Sequence, residues 1–126
     1  MKNSQPKHRS PKPLKVEERS DAWARLQSSD KSVIVKAAHD FSGDYETTTL
    51  LRELLRTELR PDNRQGILYA LAWHGDISLW SVFLEVVSNK AEAPQVRGQA
   101  AEGVAYLFLD IDPSLPDFWL SWTSCG

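Results

Sequence analysis

Apolar residues along most of this chain recur at three- and four-residue intervals, and no stretch alternates strictly for more than a few positions. That spacing is the signature of successive amphipathic helices, and no Asn-Gly or Asp-Gly hairpin signal interrupts it. Ser20-Asp21 reads as the start of a short leading helix carrying Trp23 and Leu26. Asp30 is the expected N-cap of the next helix, whose stripe is Val33, Ile34, Ala37, Ala38 and Phe41, with Gly43 at its stop. Thr47-Thr48-Thr49 is expected to cap a helix with a stripe of Leu50, Leu51, Leu54, Leu55 and Leu59. Pro61 cannot continue it and instead suits the first turn of another helix.

The helix from about Asp62 to His74, stopped by Gly75, is apolar nearly all round, so several neighbours must cover it. Asp76 or Ser78 then caps a helix with Leu79, Trp80, Val82, Phe83, Leu84, Val86 and Val87. Pro94 opens a fifth, with Val96, Ala100, Ala101, Val104, Ala105, Leu107 and Phe108 facing inward, and Asp110-Ile111-Asp112-Pro113 breaks it. A last short helix is expected from Ser114 to about Trp122, with Trp119 and Trp122 capping the final unit.

The chain matches itself at a spacing of about 32–33 residues, within the range of helical repeat proteins. Asp30-Lys31-Ser32 through Phe41-Ser42-Gly43-Asp44 matches Asp62-Asn63-Arg64 through Trp73-His74-Gly75-Asp76. Arg64, Ile67-Leu68 and Leu71-Ala72 match Arg97, Ala100-Ala101 and Val104-Ala105 one unit later. A helix pair of this size cannot bury its apolar faces alone, so neighbouring pairs must stack.

Residues 94–107, Pro-Gln-Val-Arg-Gly-Gln-Ala-Ala-Glu-Gly-Val-Ala-Tyr-Leu, resemble the first helix of a HEAT-like repeat of the phycobilin-lyase type, and Pro61–Asp76 resembles a second copy. The resemblance spans roughly residues 30–122. It implies an all-α, right-handed solenoid of about three HEAT-like helix pairs behind a short leading helix. It also implies that Arg64 and Arg97 brace neighbouring turns, and that Ala100 and Ala101 permit close helix approach. The motif is degenerate, so it speaks to fold more than to function.

Composition adds three things. The chain is of globular composition, 41% hydrophobic and 25% charged, and 126 residues suffice for one core without staples. The lone cysteine, Cys125, allows no internal disulfide and no metal framework. With no apolar run long enough for a bilayer and no secretory signal, the expected compartment is cytoplasmic. The net charge of −2 conceals an asymmetry: residues 1–20 carry six basic and two acidic side chains, and the rest carry nine basic and fifteen acidic ones. Residues 1–15, with three prolines and little to bury, read as a disordered or extended basic tail, and residues 16–126 as the repeat domain.

No constellation for catalysis emerges. His39 and His74 stand near helix ends, where a cation suits the dipole, and not in metal-binding pairs. There is no phosphate loop and no nucleophile–base signature. Asp110 and Asp112, with Asp117 nearby, suit capping of the last helix and an acidic rim better than acid–base chemistry. The chain is therefore expected to be non-enzymatic, without cofactor or metal.

What remains is a surface. Tyr69 and Trp73 lie one helical turn apart, and Glu102 and Tyr106 are their counterparts one unit later, so stacking would gather the four into a patch. Trp80 and Leu84 form a similar flank, and Asp110 and Asp112 a rim. These are the candidate contacts to a protein partner, expected to be basic because the body is acidic. Small acidic HEAT-like proteins are similar in size and charge to immunity proteins that neutralise bacterial toxins, often basic nucleases. An adaptor or assembly factor is the alternative, and a nucleic-acid contact through the basic tail a weaker one.

Overall fold

The computed structural model describes the backbone of residues 13–111 and the side chains of residues 13–107. Among the described residues the chain is all-helical, with six α-helices and no strand: α1 Val16–Leu26, α2 Lys31–Ser42, α3 Thr48–Thr57, α4 Pro61–His74, α5 Trp80–Ser88 and α6 Pro94–Ile111. Single 3-10 turns, Tyr45–Thr47 and Ile77–Leu79, lead into α3 and α5. The expected Ser114–Trp122 helix, Trp119, Trp122, Cys125, Asp112, most of the basic tail and the side chain of Asp110 lie outside the described residues.

Local chemistry sets the helix ends. Asp30 caps α2 by accepting the Ser32 backbone N–H at 3.0 Å, and Asp76 does the same for Ser78 at 2.9 Å. Gly75 closes α4 in the left-handed region at φ 66°, which residues with a Cβ adopt at a cost. Two boundaries differ from expectation. Helix α1 begins at Val16, a turn before Ser20-Asp21, because Glu18 accepts the backbone N–H of Lys15 at 2.9 Å and Glu17 and Glu18 suit the positive end of the helix. Thr47 does not cap α3. Its buried hydroxyl donates to the Asp44 carbonyl at 2.6 Å and tightens the 3-10 turn instead.

Helix α4 is central. It packs on α2 on one side and α6 on the other, with α3 and α1 also against it. This is the covering its all-round apolarity demands, and Ile67, Leu68, Ala70, Leu71 and Ala72 are buried. Helices α2, α4 and α6 thus form a row, while α1 packs on α2 and α5 on α6. Phe41, Phe83, Leu26, Ile34, Leu51, Leu79, Val96 and Leu107 complete the core, with Trp23 edge-on to Phe41 at 5.8 Å. Not every residue of the expected stripes turns inward: Leu50 is 50% exposed and Leu59 83%. Leu50 lies in the first turn of α3, and Leu59 lies beyond its end, where the chain has left the helix.

Polar clamps tie one helix start to an earlier helix end. Asn63, buried in the first turn of α4, donates through Nδ2 to the carbonyls of Leu26 and Ser28, each at 2.8 Å, and so finishes α1. Arg64 donates to the Leu55 and Glu58 carbonyls at 2.7 and 2.8 Å, finishing α3, and pairs with Glu92 at 2.7 Å. One unit later, Arg97 donates to the Val87 carbonyl at 3.1 Å, finishing α5. Both arginines act on the backbone of the preceding helix.

Close approach depends on two glycines. A Cβ at Gly66 would stand 2.9 Å from Ile34 Cγ2 across the α2–α4 contact. A Cβ at Gly103 would stand 2.9 Å from the Phe83 ring across the α5–α6 contact.

Candidate functional site

Among the described residues no further helix packs over one face of the row α2–α4–α6, and the helical period decides which residues line it. On α4 these are Asp62, Gln65, Tyr69 and Trp73; on α6, Gln95, Gln99, Glu102 and Tyr106; on α2, Val35 and His39. Tyr69 and Trp73 are half-buried, whereas His39, Glu102 and Tyr106 are exposed. Four rings form a row across three helices. The His39 and Tyr69 rings are 4.9 Å apart, Tyr69 and Trp73 6.3 Å, and Trp73 and Tyr106 5.7 Å, all tilted between 46° and 56°. The Tyr69 hydroxyl lies 3.3 Å from His39 Nδ1. Burial pushes the Tyr106 phenol above its ordinary pKa, and the negative charge of Glu102 and the neighbouring Tyr69 push in the same direction.

Beside the rings runs a ladder of amides. Gln95 Nε2 donates to Asp62 Oδ1 at 2.8 Å and to Gln65 Oε1 at 3.0 Å. Gln65 donates to Gln99 at 3.3 Å, and Gln99 donates to Glu102 Oε1 at 2.8 Å. The ladder crosses the α4–α6 seam and ends in a carboxylate at each end. A shallow groove of about 130 Å³ between α2 and α4, lined by Lys31, Ile34, Val35, His39, Gln65 and Tyr69, adjoins it. Narrow and open, it adds relief to the face without enclosing a small molecule.

The structure brings together four of the sequence-derived candidates, Tyr69, Trp73, Glu102 and Tyr106, on this single face. Trp80 is elsewhere: it opens α5, half-buried against the core, and takes no part in the ring contacts that build the row. Asp110 belongs to the last turn of α6 and Asp112 follows it, beyond the side chains described. Sequence reasoning missed His39 as a member of the face, together with Asp62, Gln65, Gln95 and Gln99. The signal was present: the offset that pairs Tyr69 with Glu102 and Trp73 with Tyr106 also pairs Asp62 with Gln95 two turns earlier.

His74 lies apart from this face. Its Nε2–H donates to the Phe41 carbonyl at 2.9 Å, which leaves Nδ1 to accept the Thr48 hydroxyl at 2.7 Å. Burial holds its pKa below the ordinary histidine value, although the Phe41 hydrogen bond, Asp44 and Asp76 oppose that. A neutral ring tying α2 to α3 replaces the helix-end cation expected from its position.

A second groove, about 670 Å³, separates α3 from α5 and carries both signs of charge, with Arg52, Arg56 and Arg64 facing Glu53 and Glu85. No group of three or more potential metal ligands gathers among the described residues, and no helix among them is long and apolar enough to cross a membrane.

No protein-family model, curated protein or solved structure matches the chain. Fold and face together define a class: an all-helical protein with an aromatic and amide-lined surface laid across three neighbouring helices.

Proposed function

We propose that the chain is a protein-binding module, a HEAT-like α-solenoid that grips a basic protein with the aromatic face of α2, α4 and α6. The observation that carries the reading is the continuous row His39–Tyr69–Trp73–Tyr106, a string of rings in mutual contact on an outward face. Tyrosine and tryptophan supply large contact area at low entropic cost and are enriched where binding energy concentrates. The interlocked glutamines hold their rotamers in advance, so less ordering remains to be done on binding. The row of α2, α4 and α6, the repeat spacing and the paired backbone clamps of Arg64 and Arg97 favour the solenoid form. A specific version of the reading is an immunity protein that occludes a bacterial toxin, consistent in size and in the acidic excess of residues 21–126.

The test is affinity capture from the source cell with the full chain, beside a Tyr69→Ala/Trp73→Ala variant whose helicity and cooperative unfolding are intact. The expected result is one stoichiometric protein that the folded variant fails to retain. If that protein is toxic when expressed alone, co-expression of this chain restores growth and the variant does not. Equal capture by both forms would remove the face from the interface.

A further inference from the structure

The Proposed function leaves open in what form the partner meets this face, and the groove between α2 and α4 narrows it. Lys31, Val35 and His39 stand one turn apart along its α2 wall, and Asp62, Gln65 and Tyr69 along its α4 wall. Val35 is 46% exposed, while Ala38 and Gly66 are buried at the floor. Gly66 has no side chain, so the backbone of α4 itself forms part of that floor. The volume of about 130 Å³ is close to that of an apolar cavity of about 150 Å³ that holds benzene. One branched aliphatic side chain fits, and because the groove is open a larger body must carry it there.

Above the apolar floor the rim is polar and only half used. Gln65 and Gln99 line it, and each spends one amide N–H, Gln65 on Gln99 and Gln99 on Glu102, and keeps the other. Their oxygens accept from Gln95 and Gln65, so both amides are held in place. Asp62 gives one carboxylate oxygen to Gln95 and keeps the other. Among the described residues Lys31 and Asp62 form no ion pair, and their charges balance.

These groups select the form of the occupant. A helix spends its backbone N–H and C=O groups internally and offers such a rim only side chains. An extended chain leaves those groups free at every residue and sends alternate side chains to opposite sides. One aliphatic side chain then enters the groove, neighbouring carbonyls accept from Gln65, Gln99 and Lys31, and a neighbouring N–H donates to Asp62. A neutral backbone also suits a rim whose charges cancel, because it brings no unmatched charge to be buried.

We propose that the groove between α2 and α4 seats an extended segment of the partner protein. A leucine-sized side chain packs against Val35 over Gly66, and backbone carbonyls take the free N–H groups of Gln65 and Gln99. Main-chain bonds hold the segment and the side chain selects it. The proposal rests on the protein-binding reading of the same face and specifies how the partner docks.

The experiment is an NMR titration of the full chain with an acetylated Gly-Leu-Gly amide, and with the Gly-Gly-Gly peptide as control. The reporters are the Val35 and Ile34 methyl groups. The leucine peptide is expected to shift them with a Kd of roughly millimolar order, as suits one side chain and two hydrogen bonds. The glycine peptide should leave them in place. Gln65→Met/Gln99→Met keeps side-chain length and helix propensity, removes both donors, and should weaken the leucine peptide at least about 5-fold. If that variant loses its cooperative unfolding, Gln99→Met alone is measured, with a loss of at least about 2-fold expected. Equal shifts with both peptides, unchanged affinity in the folded glutamine variant, or no shift at these methyls would overturn the proposal. Contacts in the free chain between these methyls and residues 1–12 or 112–126, or methyl shifts that follow the chain's own concentration, would give the groove to this chain and overturn it too. A captured partner lost in Tyr69→Ala/Trp73→Ala, with the methyls indifferent to the leucine peptide, would keep the binding module and discard the groove. Leucine-selective, glutamine-dependent shifts with no protein captured would do the reverse.

Discussion

Arg19 in α1 holds Asp44, at the turn between α2 and α3, by a two-point contact: Nε donates to Oδ2 at 2.8 Å and Nη2 to Oδ1 at 3.0 Å. Asp44 is fully buried, whereas Arg19 keeps some access to water. Asp44 and Asp76 occupy equivalent places one repeat apart, yet only Asp76 caps its 3-10 turn. Asp44 has exchanged local capping for a long-range tie to the leading helix.

That tie predicts an asymmetric double-mutant cycle. Arg19→Leu leaves a buried carboxylate without its cation and is expected to cost about 2–3 kcal/mol, toward the low end for broken buried pairs because water reaches the vacated side. Arg19→Leu/Asp44→Leu should be less destabilised than the sum of the single changes. Urea unfolding of the four proteins measures the coupling, and strict additivity would mean the pair contributes nothing.

The glycines should separate by location. In Gly66→Ala and Gly103→Ala the new methyl meets Ile34 and the fully buried Phe83 ring, and each is expected to lose about 1–3 kcal/mol. At Gly98 a Cβ meets nothing within 4 Å, so Gly98→Ala should gain about 0.5–1 kcal/mol from helix propensity alone. Thermal midpoints of the three variants are the check, and the opposite sign at Gly98 would be the informative failure.

Asn63 should distinguish a donor from a mere space-filler. Its amide serves two carbonyls that only accept, so Asn63→Ala is expected to cost about 2 kcal/mol. Asn63→Asp keeps the size but sets a carboxylate against those carbonyls, and should be worse at pH 7 than Asn63→Ala. Lowering the pH, which protonates the new acid and restores one donor, should narrow the gap between the two variants.

His74 makes stability fall on mild acidification. The native ring is held neutral by burial, with a pKa below the ordinary 6.5, while the unfolded chain takes up its proton near 6.5. The unfolded state therefore binds more protons in that window, and stability is lost as the pH drops through 6.5 toward the depressed native value. His74→Gln, which keeps a donor for the Phe41 carbonyl, should show a smaller loss of the unfolding midpoint between pH 7.5 and 5.5. Below that window the lowered carboxyls of Glu58, held by Arg60, and of the cap Asp76 add a further loss that both proteins share.

The sequence by itself determined the helices of the described residues and most of their limits, because periodicity, Asp caps, Pro61, Pro94 and Gly75 act within a few residues. It also placed Tyr69, Trp73, Glu102 and Tyr106 together, since the repeat offset carries one helix face onto the next. The start of α1 and the role of Thr47 escaped it because they turn on a choice among equally near hydrogen-bond partners. Only the tertiary structure decided that His39 joins the aromatic row, that Trp80 stands outside it, that His74 is neutral, and that Gly66 and Gly103 are contact points. Each of those depends on which helix arrives opposite and how closely, a matter of packing between residues about 20 to 40 positions apart that no local pattern encodes.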